Sequence, residues 1–295
     1  MHSDPSSPIV ADHGVTKLIS VITPSFQQLG WLQLAAASVS DQEGVEVEHI
    51  VQDAGTGPEL ESWAQEQPRL KLHVEKDAGM YDAINRGLAK ACGDICAYLN
   101  CDEQYLPGAL AKVASFFAAH SDVDVLFGDV VLINSEGRPL SYRRTILPTR
   151  RHVRLSHLNT TTCGTFFRRR LFAKGFRFDP QWKAIGDAVW VGELLRNKVP
   201  MATLREPLAV FAFTGRNLGE TTISKSETLR WRGSPRFPML QSAGVVLWHR
   251  IRKATAGAYR YRHVEIDIYT ADSPKKRRRI VGRHTGFGWP RTEST

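Results

Sequence analysis

Hydrophobic and polar positions in the first 130 residues follow two rhythms in turn. Short runs rich in β-branched residues at Lys17–Thr23, Glu46–Gln52, Leu70–Glu75, Ile95–Leu99 and Val123–Phe127 predict strands. Between them, residues 29–40 are rich in Ala and Leu, and residues 58–66 begin with Pro58 at the favoured first helical position. Met80–Ala91 has apolar residues at 80, 81, 84, 88 and 91, with Asp82 and Arg86 paired at i,i+4. Pro107–His120 completes the predicted helices. Strand–helix alternation over 17–127 predicts an α/β fold with a mostly parallel central sheet flanked by helices. Ligands of such sheets bind beyond the carboxyl ends of the strands.

After residue 128 the rhythm changes. Val130–Ile133, a polar turn at 134–137 and Pro139–Ile146 predict a hairpin. Thr161–Phe167 and Leu208–Phe213 predict strands, and Gly186–Arg196 a helix. Four segments follow: a flexible leader at 1–16, a main domain at 17–225, a basic helical extension at 226–273 and a basic disordered tail at 274–295. The tail contains KKRRR and little apolar content, which is why disorder is expected.

Composition narrows the class. With 42% hydrophobic and 23% charged residues, the chain is neither a fibre nor wholly disordered. No apolar run reaches the ~18 residues of a membrane-spanning helix. The first residues show neither the basic start nor the apolar stretch of a signal peptide, and the four cysteines form no CxxC pair. A cytoplasmic, reduced protein is expected. The net charge of +9 is unevenly placed: residues 226–295 hold 15 Lys/Arg against 5 Asp/Glu, which is the whole excess. A second stretch, from Glu136 to Asp179, has 11 Lys/Arg and no acid between its ends. Basic surfaces of this kind attract phosphates.

The candidate chemistry sits where the predicted strands end. Asn100-Cys101-Asp102-Glu103 follows Ile95–Leu99, and its oxygens suit a hard divalent cation sharing its shell with phosphate, or a hydrogen-bonded turn. Asp53, before Gly55, suits either a contact to a base N–H or an Asx-turn. Asp77 and Asp187 each precede a helical pattern, so each reads as a cap as readily as a functional acid. Arg168, Arg169 and Arg170 suit phosphate contacts or a solvated basic face. There is no GxxxxGK[ST] loop, no strand-linked GxGxxG and no GxSxG elbow. The ten histidines form no HExxH or CxxC…HxxxH set, so the spacing gives no zinc signature.

Four blocks taken together resemble the inverting glycosyltransferase family 2: ISVITPSFQQ at 19–28, HIVQDAGT at 49–56, EKDAGMYDAINRGLAKACGDICAYLNCDE at 75–103 and FFRRRLFAKGFRFDPQWKAIGDAVWVGELL at 166–195. The resemblance runs from about Leu18 to about Phe213 and looks like the branch that builds bacterial surface polysaccharides. It implies the Rossmann-like A-type fold and makes 17–225 the catalytic domain. It also implies a nucleotide-sugar donor, a glycan or lipid-linked acceptor, and Mg2+ or Mn2+. Carried over residue by residue, Asp53 matches the base-contacting aspartate and Asp77 an acid facing the nucleotide, with Pro24 and Ser25 in the same donor-binding set. Asn100-Cys101-Asp102 stands where the family has Asp-x-Asp, so Asp102 is the implied metal ligand. Asp187 matches the catalytic base. Asn100 replaces the first metal-motif Asp, Glu103 the usual following Asp, and Thr162-Cys163-Gly164 stands where a His-Gln pair is common.

Rival readings are a nucleotidyltransferase, a non-catalytic relative and a nucleic-acid binder. The loop at 23–27 lacks the glycines and basic residues of the first. Asp53, Asp102 and Asp187 are all present, against the second. No nucleic-acid motif appears, so nucleic acid is not an expected partner. Residues 239–253, with Trp248 among apolar positions and basic residues at one end, suit a helix lying on anionic lipid or packing on the domain. The expectation is peripheral attachment to the inner membrane.

Overall fold

Successive strand residues face opposite sides of a sheet, and here each side has its own core. From β1 (Ile19–Ser25) and β4 (Ile95–Tyr98), Ile19, Val21, Ile95 and Ala97 enter one core. Ile22, Cys96 and Tyr98 enter the other. The first core is closed by α1 (Leu29–Ser40) and α4 (Ala109–Ala119), the second by α3 (Met80–Lys90) and α7 (Gly186–Arg196). The computed structural model describes residues 18–213, 221–233 and 238–290, without the side chains of 238–241. The expected leader, 1–16, lies outside the described residues.

β2 (Val47–Asp53) and β3 (Leu70–Val74), separated by α2 (Pro58–Gln65), extend the parallel half, in the order β3-β2-β1-β4. Beyond β4 the sheet continues through β8 (Thr165–Arg168), β6 (Val125–Asn134), β9 (Met201–Phe213) and β5 (Glu103–Tyr105), with β7 (Pro139–Arg143) paired to β6. β8 runs antiparallel to both β4 and β6. Helix α3 forms on its predicted stripe: Tyr81, Ile84 and Leu88 are buried, and Asp82 pairs with Arg86 at 3.0 Å. A Cβ on Gly87 would stand 2.5 Å from Ile22, so glycine there sets the close approach of α3 to β1.

Two predicted strands, Val123–Phe127 and Val130–Ile133, are one strand, β6. Gly128 and Asp129, which interrupt the apolar pattern, are absorbed by a register shift against β9. The buried Asp129 carboxylate is satisfied by Tyr142 Oη at 2.7 Å, Thr145 N at 2.8 Å and Arg144 at 2.9 Å.

The C-terminal quarter differs from expectation. Residues 226–273 hold most of α8 (Thr222–Arg232), then α9 (Pro238–Thr255) and the strand β10 (Arg262–Thr270), not helices alone. The expected disordered tail forms β11 (Ser273–Thr285), antiparallel to β10; residues 291–295 lie outside the described residues. Two forces hold this hairpin. Val264, Ile266, Ile268 and Ile280 pack on Val131, Ile133 and Val210. The arginines of KKRRR find acids: Arg277 pairs with the distant Asp41 at 2.5 Å, and within the hairpin Arg279 pairs with Asp267 at 3.1 Å and Arg278 with Asp272.

Candidate active site

The loops after β1, β2, β3 and β4 open on the carboxyl edge of the parallel half-sheet. Together with residues from α5 (Arg150–Leu155), α7 and α8 they enclose a cavity of about 1160 Å³. Pro24, Ser25, Asp77, Asn100, Asp102 and Asp187 all line it. Asp53 does not. It is fully buried, and its carboxylate accepts Gly55 N at 2.8 Å, Thr56 N at 2.6 Å and Thr56 Oγ1 at 2.5 Å. It therefore shapes the loop whose Ala54 reaches the cavity. Asp77 accepts the N–H of Gly79 at 2.8 Å, which fixes the turn into α3.

At the end of β4 the chain turns sharply and Glu103 returns into the protein. Glu103 accepts Asn100 N at 2.8 Å and the Thr162 hydroxyl at 2.6 Å. Complete burial, with the neighbouring Asp102 charge, pushes its carboxyl up to about 8. Glu103 thus pins the Asn100–Asp102 turn to the segment before β8. Asn100 Oδ1 is buried and has no hydrogen-bond partner among the described residues. Burial also raises the Asp102 carboxyl. A buried oxygen without a donor beside a carboxylate is a set of hard oxygens suited to a hard divalent cation such as Mg2+ or Mn2+.

Asp187 lies one residue inside α7, after Gly186, so it is not the N-cap; Ile185 is. Its Oδ1 accepts Ala188 N at 2.8 Å and the Tyr81 hydroxyl at 3.3 Å. Burial raises the Asp187 carboxyl, and these two donors work against that rise. The Tyr81 phenol is pushed well above its usual range by burial and by the Asp187 charge, so it stays a donor. Its ring stacks on Phe178 at 5.8 Å. A Cβ on Gly186 would come within 2.6 Å of the Tyr81 ring, so glycine admits the contact.

Tyr81 was legible in the sequence only as an apolar member of the α3 stripe. Three more cavity residues, Arg143, Arg144 and Arg232, left only a compositional sign: two of them fall in the acid-free stretch after Glu136. Arg168, Arg169 and Arg170 are not on the cavity wall. Arg168 donates to the carbonyls of Phe117, Val123 and His120, Arg169 to that of Gly93, and Arg170 pairs with Asp124 at 2.5 Å. They fasten the opposite end of β8, which rules against the phosphate reading.

This topology, with its acids gathered at the carboxyl edge, is that of the A-type glycosyltransferase fold. The family model "Glycosyl transferase family 2" matches residues 20–176, more than half of the chain, and the chain belongs to that family. It is 30% identical over 127 residues to a PGL/p-HBAD biosynthesis glycosyltransferase of Mycobacterium tuberculosis, covering 41% of this chain and 50% of that protein. An uncharacterized glycosyltransferase of Nostoc sp. is 26% identical over 215 residues, covering 68% of this chain and 66% of the relative. The chain spans about half the length of the first of these relatives. Among solved structures, S. aureus TarS 1-349 in complex with UDP-GlcNAc superposes with a TM-score of 0.58 at 18% identity, covering 76% of this chain and 69% of that one. The mannosyltransferase PcManGT from Pyrobaculum calidifontis, in complex with GDP-Man and Mn2+, gives 0.57 at 17%, covering 82% and 74%. At these identities the structures share the fold.

Proposed function

We propose that this protein is an inverting glycosyltransferase that moves a sugar from a nucleotide-diphosphate sugar to a hydroxyl of a glycan or lipid-linked acceptor, in the synthesis of a surface polysaccharide. The observation that carries the reading is the single cavity lined by Asp77, Asn100 and Asp102 together with Asp187. The complexes of the two solved relatives, one with UDP-GlcNAc and one with GDP-Man and Mn2+, support a nucleotide-sugar donor and a divalent cation.

In this reading Pro24, Ser25 and Asp77 hold the nucleotide, and Asp53 supports it through the loop at 54–57. Asn100 and Asp102 would hold Mg2+ or Mn2+, which would there supply positive charge against the leaving diphosphate. Asp187 takes the proton of the acceptor hydroxyl, a contribution of ~10²–10⁴ in rate. Its half-buried position at the start of α7 raises its basicity, while the bond from Tyr81 orients it and favours the carboxylate form. Arg143, Arg144, Trp231, Arg232 and Trp289 also line the cavity, and give it basic and aromatic groups suited to an acceptor with sugar rings and an anionic group.

No helix among the described residues is long and apolar enough to cross a membrane. Leu247, Trp248 and Ile251 of α9 are exposed, which supports peripheral attachment to the cytoplasmic face of the inner membrane. The deciding experiment is Asp187→Asn. Donor binding by calorimetry should persist while transfer falls at least a hundredfold, and the wild-type product should carry the inverted anomeric configuration by NMR. Near-wild-type turnover in the variant overturns the role of Asp187; a retained configuration overturns the mechanism.

A further inference from the structure

Helix α5, the turn after it and helix α9 bring together three histidines that are scattered in the sequence, His152, His157 and His249. One ring nitrogen from each lies within 4.8 Å of the other two. The rings of His152 and His249 stack at 3.5 Å, and His157 meets them edge-on at 4.6 and 5.9 Å. His152 is 1% exposed and His249 5%. Among the described residues neither nitrogen of His152, nor Nδ1 of His249, has a hydrogen-bond partner. A neutral imidazole carries one N–H and one lone pair, and burying both without partners is costly. His157 is exposed, and its Nδ1 shares a 2.9 Å hydrogen bond with Ser156 Oγ; the unpartnered nitrogens of the two buried rings beside it are accounted for by a ligand that takes lone pairs.

We propose that His152, His157 and His249 form a three-nitrogen site for a divalent transition-metal ion of the zinc class, distinct from the oxygen site at Asn100 and Asp102. Imidazole nitrogens suit zinc-class ions, whereas carboxylate and carbonyl oxygens suit Mg2+ and Mn2+. A zinc ion at ~2.1 Å from each nitrogen needs nitrogen separations of about 3.4 Å, so binding would draw together nitrogens that now lie within 4.8 Å of one another and turn the stacked rings of His152 and His249.

The surroundings set the form of the ligands and of the fourth position. Burial, followed by the charges of Arg252, Lys253, Arg143, Arg232 and the neighbouring rings, drives all three histidines down, His152 to about 3 and His249 to about 4. A metal takes the neutral, lone-pair form of each ring. The same cations oppose an added ion. An anion in the fourth position offsets them. His157 lies on the cavity wall, so that anion, a hydroxide or a phosphate or carboxylate oxygen, enters from the cavity. The ion would tie α9, which carries His249, to α5 and the turn after it.

The test uses the full chain, stripped with a chelator and titrated with Zn2+ against a chromophoric chelator, and in parallel with Co2+. One equivalent of zinc should bind, the Co2+ form should show the visible bands of tetrahedral nitrogen coordination, and zinc should raise the melting temperature. His157→Ala, which removes an exposed ring, and His249→Ala should each weaken zinc binding at least a hundredfold, while Asp102→Ala leaves it unchanged. A wild-type chain that retains no zinc overturns the proposal. Zinc binding as tight as wild type in both histidine variants overturns it as well. The Co2+ spectrum of the wild type decides independently of whether either variant folds.

Discussion

Replacing Tyr81 by Phe removes one oxygen atom and leaves the ring that stacks on Phe178. The lost interaction is the 3.3 Å bond to Asp187 Oδ1. A hydrogen bond to a charged acceptor is worth ~1.5–3 kcal/mol at good geometry, and at this length about 1 kcal/mol is reasonable. A loss of about 1 kcal/mol is roughly fivefold in an equilibrium constant. Its sign follows from the groups present. Burial raises the Asp187 carboxyl, while the Tyr81 hydroxyl favours the carboxylate and lowers it. Without that hydroxyl the carboxyl moves further up. A base works deprotonated, so the acidic limb of kcat/KM against pH should move to higher pH. Below the limb the variant should be roughly 5–10-fold slower, and two units above it within about threefold of wild type. The assay is a pH series of initial rates with donor subsaturating, alongside thermal melts to show that the fold is kept. An unmoved limb, or one that moves down, refutes the coupling of Tyr81 to Asp187. A uniform loss at every pH instead assigns the hydroxyl to substrate, since Tyr81 also lines the cavity.

Two further outcomes are expected. Asp102→Ala should weaken nucleoside diphosphate binding by at least tenfold while leaving the free nucleoside nearly unaffected, and EDTA should abolish wild-type activity until Mn2+ or Mg2+ is returned; calorimetry with both ligands separates this from a turn residue, which would weaken both equally. Leu247 and Trp248 are each 60% exposed, so Leu247→Ser with Trp248→Ser should leave the melting temperature unchanged. At about 1–2 kcal/mol for each partly inserted side chain, the pair should cut binding to anionic vesicles at low salt at least tenfold; vesicles that never bind the wild type end the membrane assignment.

Much of the fold is local in origin. The short β-branched runs that become β1, β2, β3 and β4, and the stripe that becomes α3, form where the pattern places them, because β-branched residues suit a strand covered on both faces and helical period decides which residues a helix can bury. The acids of the site follow from the same logic. Asp77, Asn100 and Asp102 come next after strands of a parallel half-sheet, so they share one edge whatever the rest of the chain does.

Tertiary structure decided what that local pattern leaves open. Asp53 looks like Asp77 in sequence, yet its own loop takes its carboxylate. Glu103, one residue from a cavity acid, becomes a buried pin because β5 pairs with β9. Tyr81 and Asp187 meet across 106 positions, and His249 reaches His152 across nearly as many. The KKRRR run is the sharpest case. By composition it is a solvated tail, but Asp41, Asp267 and Asp272 neutralise its arginines, and Ile280 buries against β10 and β6. Charge counted along a chain cannot see an acid some 230 residues away. A side chain's solvent, partner and proton affinity are set by neighbours in space, and long-range strand pairing and helix docking choose those neighbours.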